Sequence, residues 1–412
     1  MKFTLSAVAF LFAASAASLL VAEENWNQFR GPTGRGHSTA ADVPTEWTAD
    51  SVKWRVELKG TGQSSPVNWG DKLFLTSASD DGKERFIFCI DRKTGNTIWE
   101  KSVPCANPES AHKMNSRATP TCAVDADSVI AFFGPGGLHC FDHDGNPNWS
   151  KDLGAFPGNW GVAASPMIVD DNVIQNTDSE GESQLIAFNT KTGDPAWATK
   201  RETKPKGGWS TPVLIETGGK IQLVLNGEFG VRGYDPENGK ELWFCKGFNG
   251  RGAPVPDFDG ETVFVVNGKP GDVYAVKPSG SGDVTASHMV WHKKRKAGRD
   301  LPSPAAVDGF VVVVDMGGVG ACFDAKTGEV LWNDRIGLKG ECAASPLVAN
   351  GNVYFQNVFG GEVYVIKPGK EMNVVSVNPL GAASDEIFRA TLAPIQGDLF
   401  ARSQTALYCI GK

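Results

Sequence analysis

The sequence predicts an all-β protein, a single eight-bladed β-propeller of four-stranded blades in which an N-terminal strand closes the last blade. Three observations carry that prediction. A phrase of the form small-x-Asp-x-x-Thr-Gly-x-x-x-Trp recurs down the 412 residues at a pitch of roughly 40 to 50 residues, the length of a four-stranded blade. A Ser/Ala/Thr-Pro element opens each repeat. The last repeat lacks its fourth strand, and a lone strand of that type stands near the N-terminus.

Full copies of the phrase read CIDRKTGNTIW, ending at Trp99, and CFDAKTGEVLW, ending at Trp332. Weaker copies end at Trp149, Trp197 and Trp243, and Trp291 takes the same place in the fifth unit. The openings fall at Pro66, Pro120, Pro166, Pro212, Pro254, Pro304 and Pro346. Between each opening and its Trp lie three apolar runs, so each unit reads as strands A, B and C followed by a Trp-bearing D. Trp69-Gly70-Asp71, Asp308-Gly309 and Asn350-Gly351 supply hairpin turns between A and B. The eighth unit starts near Arg389-Ala390-Thr391 and stops after three strands. Its missing strand is Val52 to Leu58, with Trp54, which leaves no open edge between first and last blades. Units five and seven depart from the phrase: Lys277 and Lys367 stand in the Asp slot, and unit seven has Val375 or a neighbour where Trp would stand.

The composition suits many short strands joined by tight turns, with 48 Gly and 12 Trp. Residues 1–22 read as an export signal, with Lys2 before an apolar run and Glu23-Glu24 after it. Cleavage after Ala22 or Ala17 and retention as an anchor are both open, since about 20 apolar residues can span a bilayer. Residues 23–50 form an N-terminal extension and 51–412 the propeller. No Cys ends the signal, so no lipid anchor is indicated, and no other segment could span a membrane. A net charge of −7 and a pI near 5.5 argue against nucleic acid as a partner. Of eight cysteines, Cys89, Cys140, Cys322 and Cys409 occupy one slot of the repeat, where other units place Ala187, Gly233 and Ala275. They read as small buried apolar residues. Cys105, Cys122, Cys245 and Cys342 remain for bridging, with Cys105 and Cys122 near enough in sequence to pair.

Over about residues 50 to 412 the repeat resembles the tryptophan-docking motif of the pyrroloquinoline-quinone (PQQ) propellers. That superfamily includes quinoprotein alcohol dehydrogenases and the BamB-type scaffold of outer-membrane protein assembly. The stretch NWNQFRGPTGRG, from Asn25 to Gly36, with VPTEW and VKW after it, further resembles exported PQQ-like repeat proteins of unassigned activity.

In such a blade the D-to-A and B-to-C connections share one face, and the A-to-B and C-to-D turns share the other. The Asp and Thr-Gly of the phrase (Asp91, Thr94, Gly95; Asp324, Thr327, Gly328) therefore read as turn chemistry. The structural Trp residues, Trp54, Trp99, Trp149, Trp197, Trp243, Trp291 and Trp332, are expected to dock between blades. Residues that could bind a ligand lie on the first face, at the channel mouth. Arg117, Arg251, Arg299 and Arg389 precede inner strands there, with Trp160, Trp209, Asp300, Glu341, His112 and Gln63 beside them. The B-to-C connections add Asn176, Asp178, Asn226, Glu228, Asn267, Lys269, Asp315, Asn357 and Arg402. Asn226-Gly227 and Asn267-Gly268 read as hairpin turns. The arginines form either a positive well for a carboxylate or phosphate or ion pairs with rim acids. The basic run from His292 to Lys296 reads as a solvated edge or as a contact patch for an acidic partner.

The resemblance implies two functions. One is an exported, monomeric binding or scaffold module in the periplasm or cell envelope, serving envelope proteins or a small anionic ligand at the mouth. The other is a divergent PQQ-dependent oxidoreductase acting on alcohols or sugars, with calcium. The second departs from its family pattern, which calls for an adjacent Cys pair, acidic and amide calcium ligands and an Asp base. No adjacent Cys pair occurs. His288 and His292, four apart on a strand, sit about 13 Å apart at roughly 3.3 Å per residue, too far to share a metal. His139 and His143 read as solvent-edge residues. No metal site and no assigned catalytic residue emerge.

Overall fold

A computed structural model describes residues 25–201, 205–248, 250–295, 302–337 and 340–411. The expected export signal, Lys296, Arg299 and Asp300 lie outside them. The described residues form eight antiparallel sheets, each with four core strands, arranged as a ring of blades. Blade 1 runs Val67–Trp69, Lys72–Ala78, Glu84–Asp91 and Thr97–Pro104 from inner to outer strand. Blades 2 to 7 repeat that order. Blade 8 takes Ala393–Ile395, Asp398–Arg402 and Ala406–Ile410 from the C-terminus and Val52–Glu57 from the N-terminal part of the chain, with Trp54 opposite Cys409. The ring therefore closes as the repeat pattern predicts.

The repeat phrase has a physical reason at each position. Asp91 Oδ1 accepts the backbone N–H groups of Lys93 and Thr94 and the Thr94 hydroxyl, and Asp324 does the same for Lys326 and Thr327. These bonds pre-form the C-to-D turn. Gly95 then adopts a φ of +74°, and a Cβ there would meet the Trp54 ring of the preceding blade at 2.8 Å. Only glycine fits both requirements. Gly145, Gly193, Gly239 and Gly328 receive Trp99, Trp149, Trp197 and Trp291 in the same way. The docked indole donates to a carbonyl of the neighbouring turn, as in Trp54 to Arg92, Trp99 to His143 and Trp149 to Thr190. Each such Trp buries on the order of 150–250 Å², worth several kcal/mol at about 25 cal/mol per Å². The small slot is explained too, because Cys89, Cys140, Cys322 and Cys409 lie directly opposite Trp99, Trp149, Trp332 and Trp54. All eight cysteines are buried and free, so Cys105 and Cys122 do not pair. Burial pushes the Cys89 and Cys409 thiols up to about 12.

Two junctions depart from the rule. Blade 5 has no Thr-Gly turn to receive Trp243, which instead donates to Gln222 within blade 4. The outer edge of blade 4 is covered by a short parallel strand, Gly282–Asp283. Blade 7 has no outer Trp, and Trp47 of the N-terminal segment packs into the cluster between blades 7 and 8. Its N–H bonds Asn378 and its indole bonds the Pro379 carbonyl.

Residues 25–47 cross the channel at the face of the A-to-B turns. Trp26 bonds Asn68 of blade 1, Asn27 bonds Val124 of blade 2, Gln28 Oε1 receives Ile168 N–H of blade 3, and the Thr33 carbonyl receives Leu214 N–H of blade 4. Arg35 donates to Phe258 of blade 5, and His37–Ser38 pairs in parallel with the inner strand of blade 7. His37 Nε2 lies 2.8 Å from Asp257, which is wholly buried. The segment seals one end of the channel.

Candidate functional site

The Ser/Thr-Pro openings place a belt of hydroxyls around the channel where the inner strands begin. Each inner strand begins where its N–H can donate to the hydroxyl of the next blade: Ser65 to Thr121, Thr121 to Ser165, Ser165 to Thr211 and Thr391 to Ser65. Val255 to Ser303 and Ser303 to Ser345 continue it across blades 5 to 7. The belt breaks between blades 4 and 5, where Ala253-Pro254-Val255 offers no hydroxyl. Pro254's carbonyl is instead bonded by Ser210 and Asn226.

Above this belt lies a cavity of about 200 Å³. Phe29 of the sealing segment lines it together with Met114, Val255, Trp160 and Trp209. Ser65, Ser345 and Thr391 are its belt residues, and Gln63, Arg251, Lys269 and Arg389 its main polar ones. Among the described residues no Asp or Glu lines it.

Local structure fixes these side chains. Trp160 lies between the His112 ring, centroids 4.9 Å apart, and the Arg251 guanidinium, 5.2 Å from its own centroid. Its loop is held by Asn115, which donates to the Trp160 and Val162 carbonyls, and by the Trp209 indole, which donates to Gly161. Arg251 has a φ of +59°, a left-handed conformation that its carbonyl's bond from Gly268 N–H supports. At Arg389, Nε and Nη1 are buried without a partner, and so is Gln63 Nε2. Arg30, Arg85 and Arg402 also carry unpartnered nitrogens, but none of the three lines the cavity. Burial pulls the Arg389 guanidinium below its ordinary value, opposed by the charge of Glu341.

Of the residues expected at the mouth, Arg251, Arg389, Trp160, Trp209, His112, Gln63 and Lys269 come together. Arg117 is elsewhere. Its guanidinium donates to the Glu109 and Asp80 carbonyls, while its own carbonyl receives Arg85. Glu341 acts on Arg389 from outside the lining. Arg402, expected on a rim turn, is wholly buried and binds the Ser64 and Thr76 carbonyls of blade 1; burial pushes its pKa down to about 9. The asparagines ending the B strands are ties between blades as well as turn residues. Asn176 bonds Ser210, Asn226 bonds Pro254 and Val266, and Asn267 bonds Gly227. Arg295 of the basic run is not a solvated edge residue, since it turns inward within 3.6 Å of Asp315. His143, expected at the solvent edge, is wedged edge-on against Trp69 and Phe74. Phe29, Met114 and Asn115 were not anticipated. The one signal for Phe29 was its place in the NWNQFRG stretch.

The family described as outer membrane protein assembly factor BamB matches residues 45–159, 83–281 and 269–367. The chain belongs to that family. A BamB from Burkholderia pseudomallei is 23% identical over 367 residues, covering 79% of this chain and 88% of the relative. A polyvinylalcohol dehydrogenase from Pseudomonas sp. is 22% identical over 331 residues, 64% of this chain and 49% of the relative, so the match spans about half of that enzyme. Among solved structures, Moraxella catarrhalis BamB superposes with a TM-score of 0.62 at 14% identity, covering 88% of this chain and 97% of the other. A quinohemoprotein alcohol dehydrogenase from Comamonas testosteroni gives 0.70 at 10% identity, covering 98% and 83%. At such identities the superpositions speak for the fold alone. BamB and the quinohemoprotein alcohol dehydrogenase thus share this ring, and the ring by itself assigns no activity.

Among the described residues no cluster of three His, Cys, Asp or Glu could hold a metal, and no helix is long and apolar enough to cross a membrane.

Proposed function

We propose that this BamB-type propeller is an exported binding module of the cell envelope that takes an acidic ligand, small or carried by a protein, at the open mouth of its channel. The observation that carries the reading is a pair of donor groups on Arg389 and Gln63, buried and unpartnered among the described residues, in a cavity whose described lining holds no carboxylate. A buried donor left unpaired costs about 1–3 kcal/mol, and an oxyanion bound bidentately by a guanidinium recovers that cost with charge-assisted bonds. Arg251 and Lys269 add positive charge at the same opening. The family's description as an outer membrane protein assembly factor supports an envelope setting and protein partners.

A second reading, a PQQ-dependent oxidoreductase of alcohols or sugars, is favoured by the polyvinylalcohol dehydrogenase relative. The cations would suit the carboxylates of a quinone. The lining offers no carboxylate to hold calcium or to act as base, so the described residues do not fit that centre.

Calorimetric titration of the purified protein with citrate, inorganic phosphate and PQQ plus calcium, with dye-linked oxidation of alcohols followed in parallel, tests both. We expect citrate to bind, with affinity falling at least about tenfold, or 1.4 kcal/mol, in Arg389→Gln. Absence of binding by all three would reject the anion site, and PQQ-dependent turnover would establish the oxidoreductase.

A further inference from the structure

We propose that the mouth captures the free carboxyl terminus of a partner polypeptide, with the terminal carboxylate on Arg389 and Gln63 and the last apolar side chain toward Phe29. This rests on the anion-site reading and narrows it to one chemistry.

Four observations lead there. First, the channel is blind. Residues 25–47 are bonded to inner strands around the far end, and Phe29 lines the cavity from that side. A polypeptide running through the ring has no exit, whereas a chain end needs none. Secondly, the cavity is small, about 200 Å³, below the roughly 300–1,000 Å³ of sites that enclose a drug-sized molecule. It has room for the tip of a longer ligand.

Thirdly, its chemistry is divided. Phe29, Met114, Trp160 and Val255 supply apolar wall, while Arg389 Nε and Nη1 and Gln63 Nε2 supply donors without a partner among the described residues. An acid with an apolar body matches that division, and a C-terminal residue is such an acid; capture of C-terminal carboxylates is a recurrent mode of peptide recognition. Fourthly, the surroundings are built for a larger contact. Phe229 in the B-to-C turn of blade 4 and Phe359 in that of blade 7 are 46% and 41% exposed, and both turns belong to the mouth face. Exposed aromatic side chains around a central cationic pocket are the composition of a protein-binding surface. A small acid buried in the cavity would not need them.

The experiment uses the whole chain and fluorescence anisotropy of a fluorescein-labelled Gly-Ser peptide ending in Phe. The free-acid peptide is compared with its C-terminal amide, and unlabelled 3-phenylpropionate and citrate serve as competitors. The expected result is binding of the acid, at least about tenfold weaker binding of the amide, and loss of that discrimination in Arg389→Gln. The double substitution Phe229→Ala/Phe359→Ala should weaken the peptide severalfold while 3-phenylpropionate binds as before. Equal affinity for acid and amide would overturn the proposal, as would 3-phenylpropionate binding as tightly as the peptide. In both cases the anion site survives if citrate still competes. Failure of every anion to bind would remove that site as well. The acid and amide comparison on the unaltered protein keeps the test valid should a variant not fold.

Discussion

The two faces of the ring do different work with the same repeat. On the sealed face, the C-to-D turns take the neighbouring Trp over a glycine, the A-to-B ends are stitched by residues 25–47, and sequence rules recur blade after blade. On the mouth face the belt of hydroxyls recurs in every blade but the fifth, while the residues beside it differ between blades: Trp160 in one, Trp209 in the next, Arg251 and Arg389 in others. Repetition marks what holds the ring together, and irregularity marks where we propose that a ligand binds. Substitutions should therefore separate cleanly, with stability lost on one face and binding lost on the other.

The largest expected effect is at a docked indole. Trp54→Ala removes a ring packed on Gly95 and the bond to Arg92 at the closing junction, and should cost about 3–5 kcal/mol in urea unfolding. A folded remnant that still binds citrate would sharpen the division between faces. Gly95→Ala comes next: its Cβ would sit 2.8 Å from Trp54 at a φ of +74°, for a cost of about 1–3 kcal/mol.

A smaller effect is the response of the seal to acid. Burial raises the Asp257 pKa, but the charge and hydrogen bond of His37, the charge of Arg35 and the Ala306 N–H outweigh it, so the carboxyl titrates below its ordinary value. Its contribution is present above about pH 4, the unfolded aspartate range, and is lost as pH falls through the lower folded value. Thermal melts should show an acid-side loss of stability that is reduced in Asp257→Asn. The smallest effect is expected at the mouth. Arg389→Gln removes a guanidinium with two unpartnered nitrogens and should cost no stability, because relief of unpaired buried donors acts in the stabilising direction. A loss comparable to that at Gly95 would mean that Arg389 is structural, and the comparison between faces would fail.

The ring was legible because its signals are local and repeated. Asp91, Thr94 and Gly95 act within one turn, and Trp99 acts on the equivalent turn of the next blade, so one copy of the phrase explains every other. Closure by Trp54 followed from counting strands. What escaped were contacts between residues far apart in sequence and used once. Trp47 serves the junction where blade 7 lacks its Trp, and Phe29 reaches the cavity, because residues 25–47 cross the channel; no periodicity announces that path. Arg117 illustrates the converse. It precedes an inner strand, as Arg251 and Arg389 do, yet the carbonyls of Asp80 and Glu109 take its donors. Position on a face could be read from the repeat, whereas the choice among partners needed the packed loops.

Hydrogen exchange with and without saturating citrate tests the central claim most directly. The account predicts slowed exchange in the segments carrying Gln63 and Ser65, Asn115 to Thr121 and Arg389 to Thr391, with the amides of residues 27–37 unchanged. Protection confined to residues 27–37, or protection nowhere in the ring, would contradict it.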